Sequence, residues 1–419
     1  MTASEPVLEE LAWRGLVHQH TENLAAALAN GPISAYCGFD PTASSLHVGS
    51  LIPVMGLMHL QRAGHKPFAV VGGGTGLIGD PGGKTGERQL QTAEMINDNV
   101  IGLRKQLEHF LDFSGPASAE MLNNADWLRP LGAIEFMRDI GKHFTVNYMM
   151  GKESVKLRIE SGISYTEFSY MLLQAYDFRE LFLRRGVTLQ VGGSDQWGNI
   201  TAGLELIRRT EGGDAHALTF PLVMTTAGTK FGKTESGTVW LDAERTSPYQ
   251  FYQFWINVDD RDAGRYLRYF TLLPRDEIEV LENAIAERPQ ERAAQQALAR
   301  EVTARVHGSK AAGVAEDVSR LLFAKGDPAS MSVDALDALS REVPFAEMRE
   351  LTSVVDGLVE LALVASKGAA RRLVEQGGAS VNGRRTGAAG DAIGEPLPGG
   401  YYLLKKGARD FGLIRLAGG

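Results

Sequence analysis

The stretch Tyr36 to Ser50, YCGFDPTASSLHVGS, decides the fold. Ile33, Ala35, Cys37 and Phe39 alternate along a short apolar run, which predicts a strand, and Asp40-Pro41 stops it. Ser44 or Ser45 is placed to cap a helix that begins near Leu46. A strand that runs into a helix start turns backbone N–H groups out of the sheet, where they attract phosphate. Gly49, third in His47-Val48-Gly49-Ser50, lets a flat base lie against the backbone. By itself H-x-G-x is a short string: the bland reading makes His47 a satisfied core or surface residue and Gly49 a helix-packing glycine. The sharper reading is nucleotide binding.

The bulk properties bound what such a site serves. A chain of 419 residues exceeds one ordinary core, so its length suggests roughly two to four domains. With 44% hydrophobic and 22% charged residues the chain reads as globular and soluble. No window is apolar enough to span a membrane, and MTASEPVLEE is acidic where a secretory signal is basic, so a cytoplasmic protein is expected. One cysteine, Cys37, excludes an internal disulfide and a multi-cysteine zinc site. No His-rich metal spacing occurs, and no protein-bound zinc is expected.

The net charge of -8 argues against indiscriminate nucleic-acid binding. From Leu351 onward, however, nine Lys and Arg face six Asp and Glu, a net of +3, which leaves -11 for residues 1 to 350. A basic tail on an acidic body fits a polyanion held at one end.

Along the chain, Glu5 to Asn30 reads as helical, with Leu8, Leu11, Leu16, Leu24 and Leu28 buried. After a helix from Leu46 to Ala63, a second strand from Pro67 to Val71 completes a parallel crossover unit. Gly74-Thr75-Gly76-Leu77-Ile78-Gly79 satisfies G-x-G-x-x-G, the mark of a nicotinamide-dependent dehydrogenase. That fingerprint needs a helix at once and a strand ending in an acid. Here Pro81-Gly82-Gly83 prolongs the loop and Arg88 to Phe113 reads as one long helix, so the dinucleotide reading is disfavoured. Gly83-Lys84-Thr85 imitates a P-loop, but the required first glycine falls on Ile78. Asp80 closes a strand-end loop where a carboxylate can pair with an ammonium group, and Lys84 and Arg88 follow within reach of phosphates. A solvated loop is an equally good reading of those two.

From Leu131 the chain turns helical. Tyr170, Gln174 and Asp177 fall at i, i+4 and i+7, a polar stripe among Met171, Leu172, Leu173, Tyr176 and Phe178. Such a stripe serves either an internal hydrogen-bond network or a pocket for a polar small molecule, since an unsatisfied buried group costs about 1 to 3 kcal/mol. The strand Val187 to Val191 then ends in Gly192-Gly193-Ser194-Asp195-Gln196-Trp197-Gly198-Asn199, followed by a helix from Ile200 to Arg209. Glycines and an acid at that end of a parallel strand suit ribose recognition, although Asp195 in isolation is an ordinary N-cap. Thr225 to Val239, TTAGTKFGKTESGTV, has no helical period, and its glycines predict a mobile loop. Ser247 to about Phe323 is helical again, and Gly326-Asp327-Pro328 opens a linker. In the tail, a helix start bearing Lys367, Arg371 and Arg372 precedes a hairpin turning at Asn382-Gly383.

His47-Val48-Gly49-Ser50 together with Lys230-Phe231-Gly232-Lys233-Thr234 resembles the HIGH and KMSKS signatures of class I aminoacyl-tRNA synthetases. YCGFDPTA and VGGSDQWGN are similar in particular to bacterial tyrosyl-tRNA synthetases, and the resemblance runs from near residue 30 to the C-terminus. Ser366 to Gly383 resembles the S4 RNA-binding domain. The family usually ends its first signature with a second His; Ser50 stands there, able to donate one hydrogen bond but without the charge of an imidazolium.

The resemblance implies an α/β fold: a Rossmann-like parallel-sheet catalytic domain with a helical insertion over 1–224, a KMSKS-like loop and helical domain over 225–325, a linker over 326–350 and an S4-like α+β RNA-binding domain over 351–419. It implies ligation of L-tyrosine to the 3′ end of tRNA(Tyr) through tyrosyl-adenylate, with ATP as substrate, Mg2+ on its phosphates and a homodimer. Tyr170, Gln174 and Asp80 would hold the substrate amino group, Asp177 and Tyr36 its phenolic hydroxyl, and Gln196 the tyrosine side. Gly38, Asp40, Thr42, His47, Gly49, Ser50, Gly193, Asp195 and Lys233 would bind ATP. His47, Lys84, Arg88, Lys230, Lys233 and Thr234 would meet the developing charge, and Lys367, Arg371 and Arg372 the RNA. A tryptophan-specific enzyme of the same class is the nearest rival, and Asp177 with Tyr36 speaks against it because indole needs only an acceptor. A catalytically weak RNA-binding paralogue is the alternative from another class.

Overall fold

The computed structural model describes residues 6–417, apart from 82–90, 160–161, 227, 230, 235–236, 324–325, 389–390, 392 and 408. The chain forms two compact units: Met1–Thr246 with Asn257–Leu298, and Ser247–Ile256 with Ala299–Gly419. The helices expected as one body over 225–325 are thus shared between the two.

The first unit is built on a six-stranded sheet. Its strands are β1 (Gln19–His20), β2 (Ser34–Phe39), β3 (Lys66–Val71), β4 (Glu120–Asn123), β5 (Val187–Gly193) and β6 (His216–Phe220), in the order β1-β6-β5-β2-β3-β4. All pairings are parallel except β1 with β6. The order reverses at β2, which lies between β5 and β3; in open α/β sheets ligands sit beyond the carboxyl ends of the strands at such a point. Ala35, Tyr36, Cys37 and Phe39 are all buried, as a strand covered on both faces requires. The helix Leu51–Arg62 crosses behind the sheet with nine buried residues. At Gly56 a Cβ would lie 2.0 Å from Phe220 Cζ, so glycine is what lets this helix seat against β6.

Several local expectations shift. The N-terminal helix is two helices, Val7–Trp13 and Leu24–Ala29, with β1 between them. Gly15, at φ +75°, takes the chain out of the first helix, and Gln19 then pairs with Thr219. Leu11, Leu16, Leu24 and Leu28 are buried, whereas Leu8 is only half-buried. The helix near Leu46 begins instead at Leu51, after a tight turn over Val48–Ser50. The Ser45 hydroxyl donates to the Leu46 carbonyl, and the turn before the helix is capped by the His47 ring, whose Nδ1 accepts the Gly49 N–H at 3.0 Å. The helix expected over Arg88 to Phe113 is shorter among the described residues, running Ala93–Leu107 with Thr92 as its cap. The helix after β5 starts at Trp197.

The lysine-bearing stretch forms a short hairpin, β7 (Lys233–Thr234) with β8 (Gly237–Thr238). In the second unit β9 (Phe345–Met348), β10 (Ala379–Val381), β11 (Arg384–Arg385), β12 (Tyr401–Lys406) and β13 (Asp410–Leu416) form a sheet ordered β11-β10-β12-β13-β9. One face buries Val354, Val355, Leu358, Ala370 and Val374 from two helices, and the other packs on Leu321, Leu336 and Leu339. Residues 326–350, expected as a linker, therefore carry structure: Val333–Ser340 is a helix in that second core, and β9 pairs with β13. Ser366 caps the helix Lys367–Glu375, and Asn382-Gly383 turn the β10–β11 hairpin with φ of 48° and 81°, the left-handed pair of a tight hairpin turn.

Candidate active site

The helix Tyr165–Arg185 carries Asp177 inward, where it is only 4% exposed. Its Oδ1 accepts the Trp127 Nε1–H at 2.7 Å and its Oδ2 accepts Asn124 Nδ2 at 2.9 Å. Burial pushes the Asp177 carboxyl up to about 7, against the pull of those two donors. From β2, Tyr36 is equally buried, and its hydroxyl has no hydrogen-bond partner among the described residues. Burial and the neighbouring Asp177 raise its pKa well above the ordinary value. Gln190, its register partner on β5, is also buried, with no partner for Oε1 among the described residues. Two such buried polar atoms on adjoining strands are able to bond a ligand hydroxyl.

A second polar group forms at the carboxyl ends of the strands. Gln196 donates to Asp80 Oδ2 at 2.5 Å and to its neighbour Asp195 at 3.2 Å. Asn199 donates to Gln174 Oε1 at 3.1 Å and to Gln196 Oε1 at 3.3 Å. Asp80, Gln174, Asp195 and Gln196 are thereby joined in one network, from three different parts of the chain. Tyr170 turns to Asp40, its hydroxyl 3.2 and 3.3 Å from the two carboxylate oxygens. An acid-rich cradle of this kind suits an ammonium group.

The residues expected at the nucleotide fall on the same edge. Gly38 is the exposed position of β2, and a Cβ there would meet nothing within 4 Å. The Thr42 N–H bonds the Asp40 carbonyl in the turn that follows β2. At Gly193 a Cβ would lie 2.5 Å from Asp195 Oδ1, so glycine lets that carboxylate fold over the strand end. Gly49 does the same for His47, whose Cε1 would be 2.8 Å from a Cβ. Because His47 Nδ1 accepts from Gly49, the neutral ring carries its proton on Nε2, as a donor. Trp240 sets its ring edge-on to His47, with centroids 6.3 Å apart, and the Arg245 guanidinium lies 3.4 Å from the Trp240 ring centroid. Ser50 is half-buried and makes no side-chain cap contact. Lys233 is exposed on the hairpin, Thr234 follows it in β7, and Lys84, Arg88 and Lys230 lie outside the described residues.

Asn124, Trp127 and Gln190 belong to these groups without standing out in the sequence, whereas Asn199 closes the string that begins at Gly192. Gln190 carries the one available signal, a glutamine inside the apolar run Val187–Val191. Asn124 and Trp127 follow β4, a strand whose residues show no apolar alternation.

In the second unit Arg371 and Arg372 are exposed on their helix, whereas Lys367 is paired with Asp356 at 2.6 Å and holds that carboxyl down at about 2. Beside the hairpin an open groove of about 1100 Å³ is lined by Asn382, Arg384, Arg385 and Lys405 together with Asp327 and Glu395.

Residues 28–324 match the family of class I tRNA synthetases for tryptophan and tyrosine, and residues 335–414 match the C-terminal domain of SYY-like tyrosine–tRNA ligases. The tyrosine–tRNA ligase of Anaeromyxobacter dehalogenans (strain 2CP-C) is 55% identical over 417 residues, 98% of this chain and 99% of that one. That of Roseiflexus castenholzii is 52% identical over 421 residues, with the same coverage. Among solved structures, a C-terminally truncated mitochondrial tyrosyl-tRNA synthetase from Aspergillus nidulans superposes with a TM-score of 0.70 at 30% identity, covering 76% of this chain and 95% of that chain. Full-length relatives that are ligases do not favour the reading as a weak RNA-binding paralogue. With the sheet order and these matches over nearly the whole chain, the chain belongs to the tyrosine–tRNA ligase family of class I aminoacyl-tRNA synthetases.

Proposed function

We propose that the cradle beyond β2, β3 and β5 is where this ligase activates its amino acid, with the side chain lying inward and the carboxylate toward the nucleotide. The observation that carries this is the Tyr36 hydroxyl, unpartnered among the described residues, beside a buried Asp177. A phenol entering there donates to Asp177 and accepts from Tyr36, so the Tyr36 hydroxyl gains a partner and the buried acid gains a third donor. Phenylalanine would offer neither bond, a discrimination for which tyrosyl-tRNA synthetases are the worked case. Asp80, Tyr170 and Gln174 then hold the ammonium group, with Gln196 on the tyrosine side.

ATP lies over Gly38, Asp40, Thr42, Gly49, Ser50 and Gly193, with Asp195 on the ribose. The tyrosine carboxylate attacks the α-phosphate; the new C–O–P linkage is tyrosyl-adenylate, and pyrophosphate leaves with the electron pair of the broken bond. The attacking group is already ionised at neutral pH, so no general base is required, and catalysis is positioning and charge stabilisation. His47 Nε2–H, Lys84, Arg88, Lys230, Lys233 and Thr234 meet the developing charge, and Mg2+ enters with the substrate phosphates. A terminal ribose hydroxyl of tRNA(Tyr) then takes the tyrosyl group and AMP leaves.

Residues 1–224, with the loop and helices of 225–325, are assigned this chemistry, and 351–419 the capture of tRNA in the manner of an S4 domain. Arg371 and Arg372 are its exposed cations. Over 133–165 the first unit leaves Ile134, Val146, Ile159 and Tyr165 exposed, a density of large apolar side chains that fits a subunit interface and supports a homodimer. Among the described residues no helix is long and apolar enough to cross a membrane. A ligase that charges tRNA for protein synthesis is assigned to the cytoplasm.

Pyrophosphate–ATP exchange with tyrosine, phenylalanine and tryptophan tests the pocket. Exchange is expected with tyrosine alone, and Asp177→Ala should abolish it; equal exchange with phenylalanine would refute the assignment of Tyr36 and Asp177.

A further inference from the structure

The lysine-bearing stretch, expected as a glycine-hinged loop, is tied down along its described length. On its leading side Thr226 donates twice to Asp262, from N–H to Oδ2 at 3.0 Å and from Oγ1 to Oδ1 at 2.6 Å. Asp262 stands in the first turn of the helix Asp260–Phe270 and is 3% exposed. Arg265, one turn on, pairs with the same carboxylate and donates to the Met224 carbonyl at 2.8 Å. In the middle, Phe231 is buried against the same helix, edge-on to Tyr266 at 4.9 Å and stacked on Phe270 at 5.1 Å. On the returning side the Gly232 carbonyl accepts the Val239 N–H, the Val239 carbonyl accepts the Val48 N–H, and the Leu46 carbonyl accepts the Leu241 N–H. Gly232 has φ +79°, and a Cβ there would lie 2.5 Å from Val48 Cγ2. The hairpin that carries Lys233 therefore rests on one helix at its front and is zipped to the His47 segment at its back.

The front attachment differs in kind from the other two. Phe231 is held by dispersion and area, and the returning strand by backbone pairing that any sequence can make. Asp262 supplies a charged, buried acceptor, and it serves three partners: the loop N–H, the loop hydroxyl and Arg265. Hydrogen bonds to a buried charge are the stronger ones, and they are directional. We propose that Asp262 is a positioning residue for adenylate formation: it latches Thr226, fixes the front of the loop and so holds Lys233 where the triphosphate will lie. This rests on the assignment of Lys233 to the triphosphate. Asp262 touches no substrate in this scheme.

The test uses the full-length enzyme with Asp262→Asn, Thr226→Val and Thr226→Ser. Single-turnover adenylate formation at saturating tyrosine and ATP gives the rate, equilibrium dialysis gives the tyrosine Kd, and tryptic nicking between residues 225 and 239 reports the latch without reference to chemistry. The amide in Asp262→Asn retains one acceptor and lacks the charge. Thr226→Val removes only the hydroxyl bond, so it guards against a failure of Asp262→Asn to fold. For both we expect adenylate formation slowed about tenfold, nicking accelerated to a similar degree and an unchanged tyrosine Kd, with Thr226→Ser behaving as wild type. Wild-type nicking and rate in Thr226→Val would overturn the latch. Faster nicking with an unchanged rate would overturn the positioning role of Asp262, whereas an unchanged rate in Lys233→Ala would remove the assignment of Lys233 on which that role rests.

Discussion

Asn124 donates to Asp177 at 2.9 Å while its own Oδ1 accepts the Gly74 N–H at 2.8 Å, so one buried amide joins the glycine loop after β3 to the acid on the long helix. The second hydrogen of the same amide goes to Thr75 Oγ1 at 2.8 Å. The amide is therefore held in one orientation, with one N–H on the acid and the other on Thr75.

Asn124→Ala removes this link and leaves Trp127 as the remaining donor to Asp177 among the described residues. Loss of a buried hydrogen bond to a charged group costs about 1 to 3 kcal/mol. Tyrosine should bind roughly ten-fold more weakly, with KM for ATP unchanged, as read from exchange kinetics. A loss confined to ATP would show that the amide serves the nucleotide instead.

The pH dependence of Asp177 follows from its burial. The carboxyl sits at about 7 in the folded protein against an ordinary 3.8. A folded-state pKa raised in this way contributes stability that is complete below 3.8 and lost as pH rises through about 7, because the fold must then hold a buried carboxylate. Asp177→Asn has no such loss. The Tm of the variant relative to wild type should therefore climb as pH is raised from 3.8 to about 7 and level off above it. In the proposed pose the ionised carboxylate accepts the phenol of tyrosine and bound tyrosine opposes the loss, so the Tm gain on adding tyrosine to wild type should grow over the same range. A flat difference between the two proteins would place the Asp177 ionisation elsewhere.

What the chain declares and what it conceals divide along physical lines. β2, β3 and β5 are legible because apolar runs stop at Asp40-Pro41, at the glycines after Val71 and at Gly192-Gly193. The stripe Tyr170, Gln174 and Asp177 is legible because a helix repeats every 3.6 residues. Edge strands β1 and β4 carry no such signal: β1 has two residues and β4 is half-buried throughout, so their pairing is decided by the strands already in the sheet. The cap on the 48–50 turn is hidden because a histidine fills a place where serine is the expected acceptor, and only the absence of a Cβ at Gly49 makes room for it. The 326–350 segment reads as a linker from Gly326-Asp327-Pro328, yet Leu336 and Leu339 join a core that is completed by Leu397, Tyr401, Leu403 and Leu413 from far along the sequence.

The surface proposed for tRNA can be dissected by charge state. Lys367 already spends its charge on Asp356, while Arg371 and Arg372 face solvent. Removing a single phosphate contact should lower the slope of log affinity against log salt by about one. Arg371→Ala and Arg372→Ala should each weaken tRNA binding and flatten that slope in filter-binding titrations. Lys367→Ala should do less, because its charge is already neutralised by Asp356. Equal slopes for all three variants and wild type would remove this helix from the RNA surface.

Ser50 is where the chain departs from the usual family signature. Its N–H bonds the His47 carbonyl, and its hydroxyl is not used to cap the helix it precedes. If that hydroxyl meets the nucleotide, it is worth one neutral hydrogen bond, about 0.5 to 1.5 kcal/mol, which corresponds to roughly 2- to 12-fold in binding. Ser50→Ala should raise KM for ATP within that range and leave KM for tyrosine alone. Ser50→His restores the imidazole next to Gly49, over which the His47 ring is folded. The expected outcome is a wild-type enzyme that exchanges without the substitution, and a change in KM for ATP smaller than about tenfold with it. A wild-type enzyme silent in exchange and rescued by Ser50→His would locate a defect at this position and revive the weak paralogue.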